Sequence, residues 1–190
     1  MSIDLTPATA RLADLASNVR DDQLGDPTPC PDYTVGDLLE HIATLALAFT
    51  EAAEKSGDPN AEVPPPGDAA RLPADWRRQI PDRLGTLAEA WQDPDAWTGM
   101  TALAGGETPG EVAGVVAVEE VVVHGWDLAR ATGQPFTADD EHLEAVVGFF
   151  ASFPDEARGE GFGLPAAVPD DAPLLDRAVG RSGRDPGWSP

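Results

Sequence analysis

The sequence predicts an all-α protein: a four-helix bundle with an extra short helix and an irregular Pro/Gly-rich C-terminal segment. Three observations predict it. Apolar residues recur at three- and four-residue spacings over helix-length stretches, those stretches open on capping residues, and Pro- and Gly-rich runs separate them. An all-β reading fails on the same grounds, and no strand is predicted.

The first helix runs from Thr6 to Leu24, with Leu5, Leu12, Leu15 and Val19 on one stripe. Gly25-Asp26-Pro27-Thr28-Pro29-Cys30-Pro31 cannot continue it, because three prolines remove donors and fix φ. The second helix opens at Thr34, with Asp37 three residues on as in a capping box, and continues to Lys55 on Leu38, Leu39, Ile42, Leu45, Ala46 and Phe49. Residues 57–73 hold seven Pro or Gly and read as a surface loop. A third helix, Pro73 to Asp93, carries Trp76, Ile80, Leu84, Leu87 and Trp91, and a Gly-rich connector follows from Trp97 to Gly106. Thr108-Pro109-Gly110-Glu111 starts the fourth helix, with Thr108 as N-cap and Pro109 at the first helical position; Gly133 stops it. The short fifth helix opens at Thr137 and ends near Phe153. Residues 154–190 read as irregular, with Phe162, Leu164, Leu174, Leu175 and Trp188 packing the segment onto the bundle, so that 1–190 forms a single domain.

The chain has 190 residues and 42% hydrophobic content, enough for one core. Its 34 acidic residues face 12 basic ones, a formal charge of −22 that repels nucleic acid and anionic membranes alike. Cys30 is alone, the N-terminus lacks a basic region followed by an apolar run, and no apolar stretch is long enough to span a bilayer. These features lead to the expectation of a soluble, cytoplasmic protein, monomeric or homodimeric.

The fourth helix carries the chemistry. From Val112 to Val123 it is apolar nearly all round, as in the middle of a bundle, and into it are set Glu120 and His124, four residues apart on one face. A buried carboxylate is costly unless paired or metal-bound. Such a pair is therefore an ion pair, a Glu–His hydrogen bond or two metal ligands. His41, on the core stripe of the second helix between Leu38 and Leu45, reads either as a hydrogen-bonded core histidine or as the third donor, since facing helices build metal sites in bundles. Three N/O ligands with a vacant position describe a catalytic zinc; nickel or iron would also accept this set. Asp127, three residues beyond His124, is placed to take a hydrogen bond from a ligating imidazole, or else to cap or meet the surface. Trp126 and Trp97 are candidates for lining a substrate pocket, alongside the ordinary role of filling core. Glu119 reads as solvated or paired with an Arg, His142 as a surface residue among Asp139, Asp140, Glu141 and Glu144, and Cys30 as a structural thiol. Gly105-Gly106 lacks the lysine and Ser/Thr of a phosphate loop.

Thr28-Pro29-Cys30-Pro31-Asp32-Tyr33-Thr34-Val35 with Asp37-Leu38-Leu39-Glu40-His41, and then Glu120 through Gly133, resemble the two signatures of the mycothiol-dependent maleylpyruvate isomerase N-terminal domain, within the DinB/YfiT-like group. The tail, Phe162-Gly163 through Asp185-Pro186, is similar to a short actinobacterial branch known only as metal-binding proteins and without the C-terminal sterol-carrier-like domain of the isomerase. Tyr33 stands where that family usually has Trp, and Asp32 where Gly is common. The resemblance implies a four-helix bundle with zinc or another divalent ion on residues matching His41, Glu120 and His124. It also implies a low-molecular-weight thiol, mycothiol or bacillithiol, as cosubstrate acting on a small electrophile. The expected function is thus a zinc-dependent thiol S-transferase or thiol-assisted isomerase. The alternative is a non-catalytic metal-binding, stress or small-ligand-binding bundle.

Overall fold

The computed structural model describes residues 2–152, 158 and 163–190. Helix α1 (Thr6–Ser17) is shorter than the periodicity predicts. Ser17 and Asn18 break it: the Ser17 hydroxyl donates back to the Ala13 carbonyl at 2.8 Å, and both side chains compete with helical bonding. A single 3-10 turn at Asp21–Gln23 follows, and Val19 still reaches the core.

Helix α2 (Val35–Glu54) begins as predicted. The Asp37 N–H donates to Thr34 Oγ1 at 3.3 Å, and the Thr34 N–H donates to Asp37 Oδ2 at 2.9 Å, closing a reciprocal cap. Lys55 ends it in the left-handed region, with φ of 55°, and its ammonium reaches the Thr98 carbonyl. Helix α3 (Trp76–Ala90) gives way to a 3-10 turn at Pro94–Trp97.

The predicted connector is a hairpin. Strands β1 (Met100–Leu103) and β2 (Gly106–Pro109) pair antiparallel, Thr101 opposite Thr108, around Ala104 and Gly105 with φ of 50° and 75°. Positive φ at both central residues suits the right-handed twist of the strands. The Thr101 hydroxyl pins the hairpin to the Ala52 carbonyl at 2.6 Å. Thr108 is therefore in a strand and Pro109 stands at the N-cap position of helix α4 (Gly110–Thr132), one step from their predicted roles. Gly133 closes α4 with φ of 70°, as predicted.

Helix α5 (Asp140–Ala151) starts three residues later than Thr137; its expected end at Phe153 lies outside the described residues, as does Phe162. The tail is not wholly irregular: Leu174–Arg181 form helix α6, packed on α5. Leu174, Leu175 and Trp188 pack against the core, whereas Leu164 is exposed.

Helices α1 to α4 form the bundle. Helix α3 packs on α1 and α2, and α4 packs on the same two from the opposite side. Helix α4 is buried around most of its circumference, which accounts for its composition. At its first turns the Trp91 and Trp97 rings meet edge to face, centroids 4.9 Å apart, and a Cβ on Gly114 would come within 2.4 Å of Trp97.

Candidate metal centre

The α2 cap fixes where His41 falls, about two turns into the helix, and the packing of α2 on α4 brings it over Glu120 and His124. One donor atom from each of the three lies within 4.8 Å of the others. His124 Nε2 is 2.9 Å from Glu120 Oε2, and the two imidazole rings stand nearly perpendicular, centroids 5.0 Å apart. His124 is buried, while His41 and Glu120 are half-buried, so the cluster is open on one side.

Asp127 is fully buried and accepts from His124 Nδ1–H at 3.1 Å. That bond spends the proton on Nδ1 and turns Nε2 toward Glu120 and His41, the tautomer a ligating imidazole needs. Tetrahedral zinc with ~2.1 Å bonds places its donors about 3.3 Å apart, so this donor set fits such an ion after small side-chain adjustments.

The electrostatics follow from burial. Desolvation first, then the charge of His124, pull His41 down to about 4, leaving it a neutral donor. Burial also opposes charge on His124, but the bonds to Asp127 and Glu120 outweigh it and raise it to about 9. Glu120 is pushed up by burial and pulled down further by the His124 bond, so it stays ionised. In the metal-free protein the His124 imidazolium is thus the charge paired with Glu120, and a metal ion held at Nε2 would take the place of that proton.

A strap walls the His41 side. The Gly67 N–H donates to the Tyr33 hydroxyl at 3.0 Å, the Asp68 N–H to Glu40 Oε2 at 3.1 Å and the Ala69 N–H to Asp37 Oδ1 at 2.7 Å. Arg71 Nη2 also reaches Glu40 at 3.1 Å. Gly67 lies so close that a Cβ would meet the Asp37 carbonyl at 2.4 Å and His41 Cβ at 3.0 Å. The Tyr33 ring leans on His41, centroids 5.2 Å apart. Residues 57–73 read only as a surface loop in the sequence; the one local hint of this wall is the glycine after three prolines.

Other expected residues fall elsewhere. An apolar crevice beside Glu120 and His124, lined by Leu12, Ile42, Phe49 and Leu84, holds about 10 Å³, room for roughly one water. Neither Trp126 nor Trp97 lines it. The Trp97 indole N–H donates to the Trp91 carbonyl, and Trp126 is buried within reach of Arg130. Glu119 is not solvated: it is 2% exposed, and Oε2 has no hydrogen-bond partner among the described residues. Burial first, then the Glu120 charge, raise it to about 8. His142 is buried too, at 2%, with Nε2 2.8 Å from the Asp4 carbonyl. The Cys30 thiol is half-buried and pushed up, chiefly by burial. A cleft of about 530 Å³ between residues 164–170 and α6 contains none of the cluster residues.

Fold and cluster together define a helical bundle with a three-donor His/Glu/His centre between two facing helices. The chain belongs to the mycothiol maleylpyruvate isomerase N-terminal domain family, whose pattern it matches over residues 5–129. Two uncharacterized Mycobacterium tuberculosis proteins, Rv0738 of strain H37Rv and MT0763 of strain CDC 1551, are each 32% identical over 175 residues, spanning 90% of this chain and 91% of theirs. Among solved structures, the mycothiol-dependent maleylpyruvate isomerase matches with a TM-score of 0.66 at 20% identity, over 94% of this chain and 87% of that one. A His-to-Ala mutant of that enzyme matches at 0.65 and 19%. At such identity the likeness is one of fold, and it runs through the C-terminal segment as well as the bundle.

Proposed function

We propose that this protein is a divalent-metal-dependent enzyme that uses a low-molecular-weight thiol, mycothiol in the first instance, to isomerise or S-conjugate a small electrophile. The observation that carries the reading is the convergence of His41, Glu120 and His124 donor atoms within 4.8 Å on one open side of a buried helix pair. Family membership and the name of the fold relative support the thiol and the reaction class.

His41, Glu120 and His124 would hold the ion, zinc before nickel or iron, with Asp127 keeping the His124 Nδ1 proton in place. A divalent ion at that position supplies Lewis acidity that favours the thiolate over the thiol at neutral pH. The crevice behind the cluster is too small for a substrate, so thiol and electrophile approach from the half-exposed side of His41 and Glu120, beside Tyr33 and the strap. Conjugation forms one sulfur–carbon bond as the π bond of the electrophile opens, and the carbanion left at its far end takes up the proton the thiol gave up. Isomerisation forms the same bond at a cis double bond, permits rotation about the resulting single bond, and breaks it again with return of the thiolate.

Elemental analysis of protein purified without a His tag tests the reading: about one zinc per chain is expected, together with metal-dependent consumption of an electrophile in the presence of thiol. Protein without metal, with Glu120 and His124 as a hydrogen-bonded pair, overturns it. Stoichiometric metal without turnover of any thiol substrate reduces it to a metal-stabilised binding bundle.

A further inference from the structure

We propose that Arg184, brought in by the C-terminal segment, is a positioning residue for His124, acting through Asp127. This rests on the metal-centre reading above and goes beyond it.

The chain leaves α6 through Gly183, with φ of 90°, which turns Arg184 back toward α4. Arg184 Nη2 donates to Asp127 Oδ2 at 3.1 Å, and His124 Nδ1 donates to the same oxygen at 3.1 Å. Arg184 Nη1 is tied to the Ser182 carbonyl at 3.1 Å, so the guanidinium is held at two points. Asp127 is 0% exposed, the Arg184 side chain only 13%, and Asp127 Oδ1 finds no hydrogen-bond partner among the described residues. One carboxylate oxygen thus serves both donors.

The charges around it give that bond its leverage. Glu119, Glu120 and Asp127 are buried on one helix, and Arg184 is the guanidinium that pairs with Asp127. Without it, Asp127 keeps a single donor, His124 Nδ1–H, in a dry interior. An under-bonded buried carboxylate is costly, so it rotates to find another donor. That rotation releases the imidazole from the orientation that aims Nε2 at Glu120 and His41. Partners that orient a ligand in this way change metal affinity by about 10–100-fold.

The experiment measures zinc affinity of the full chain by chelator competition for wild type, Arg184→Gln, Asp127→Asn and the double variant. Each single variant is expected to weaken binding by about ten-fold, and the double variant by no more than the worse single, because the two act in series. Wild-type affinity in Arg184→Gln, or losses that multiply, overturns the inference. If Arg184→Gln does not fold, Arg184→Lys, which keeps the charge but loses the guanidinium fork, must still bind zinc more weakly; unchanged affinity overturns it too. A second readout needs no metal. In the metal-free protein, nitrogen-15 NMR should find a slowly exchanging His124 Nδ1 proton in wild type and not in Arg184→Gln. Its persistence in the variant overturns the inference, whereas wild type that shows this proton but binds no zinc overturns only the metal reading.

Discussion

Glu119 and Glu120 are chain neighbours held in opposite states. Glu120 is kept ionised by His124, whereas burial first, then the Glu120 charge, raise Glu119 to about 8. At pH 7 Glu119 is thus mostly protonated and a glutamine imitates it. Glu119→Gln is expected to leave metal content and melting temperature at pH 7 near wild type, while Glu120→Gln loses the metal; elemental analysis with a thermal melt checks both. The sign of the pH effect follows from a folded value above the ordinary 4.5: the stability Glu119 contributes is present below 4.5 and lost as pH rises toward about 8. Metal-free Glu119→Gln should therefore lose less stability than wild type between pH 5 and 8. His41→Ala removes one of three donors and is expected to strip the metal, read by the same analysis. Spacing on two helices was enough to bring His41, Glu120, His124 and Asp127 to one place. It misplaces Glu119, which points aside from the Glu120 and His124 face, and His142, whose charged neighbours suggest solvent. The better signal lies in position: on a helix apolar nearly all round few residues face water, and His142 shares a stripe with Val146 and Phe149.

Helix α2 shows how a local cap governs a site. Thr34 and Asp37 satisfy each other, and Asp37 also takes the Ala69 N–H of the strap, so one carboxylate fixes both the helix start and the wall beside His41. Thr34→Ala should cost about 1 kcal/mol, read as a shift in denaturant midpoint. Burial raises Asp37, but the bonds from Thr34 and Ala69 outweigh it and hold it below the ordinary 3.8. A depressed carboxyl stabilises above that ordinary value and loses its contribution as pH falls through the lower folded one. The stability difference between wild type and Asp37→Asn is therefore expected to shrink below pH 4. This element was legible because a capping box is written in four adjacent residues. The hairpin and α6 were not: four-residue strands are too short to display alternation, and an eight-residue helix is hidden in a segment dominated by Pro and Gly. The strap escaped notice for another reason, since its hydrogen bonds join residues about thirty positions apart.

The bundle as a whole carries a formal charge of −22 while its interior is closed by apolar packing. Mutual repulsion among surface carboxylates opposes compaction and is screened by salt. Raising ionic strength from low to about 0.5 M should raise the melting temperature by about 3 °C, the shift that ~1 kcal/mol produces in a chain of this size. No helix among the described residues is long and apolar enough to cross a membrane. Fold class, helix count in the bundle and the central place of α4 were legible at this scale, because total burial of one helix is recorded directly in its composition. At the first turns of α4, where α3, the hairpin and α4 converge, the Trp91 and Trp97 indoles stand edge to face against Gly114. Two chromophores so close and so fixed couple their electronic transitions, giving the junction its own circular-dichroism couplet. Loosening of that corner can therefore be followed optically, apart from the melting of the helices themselves.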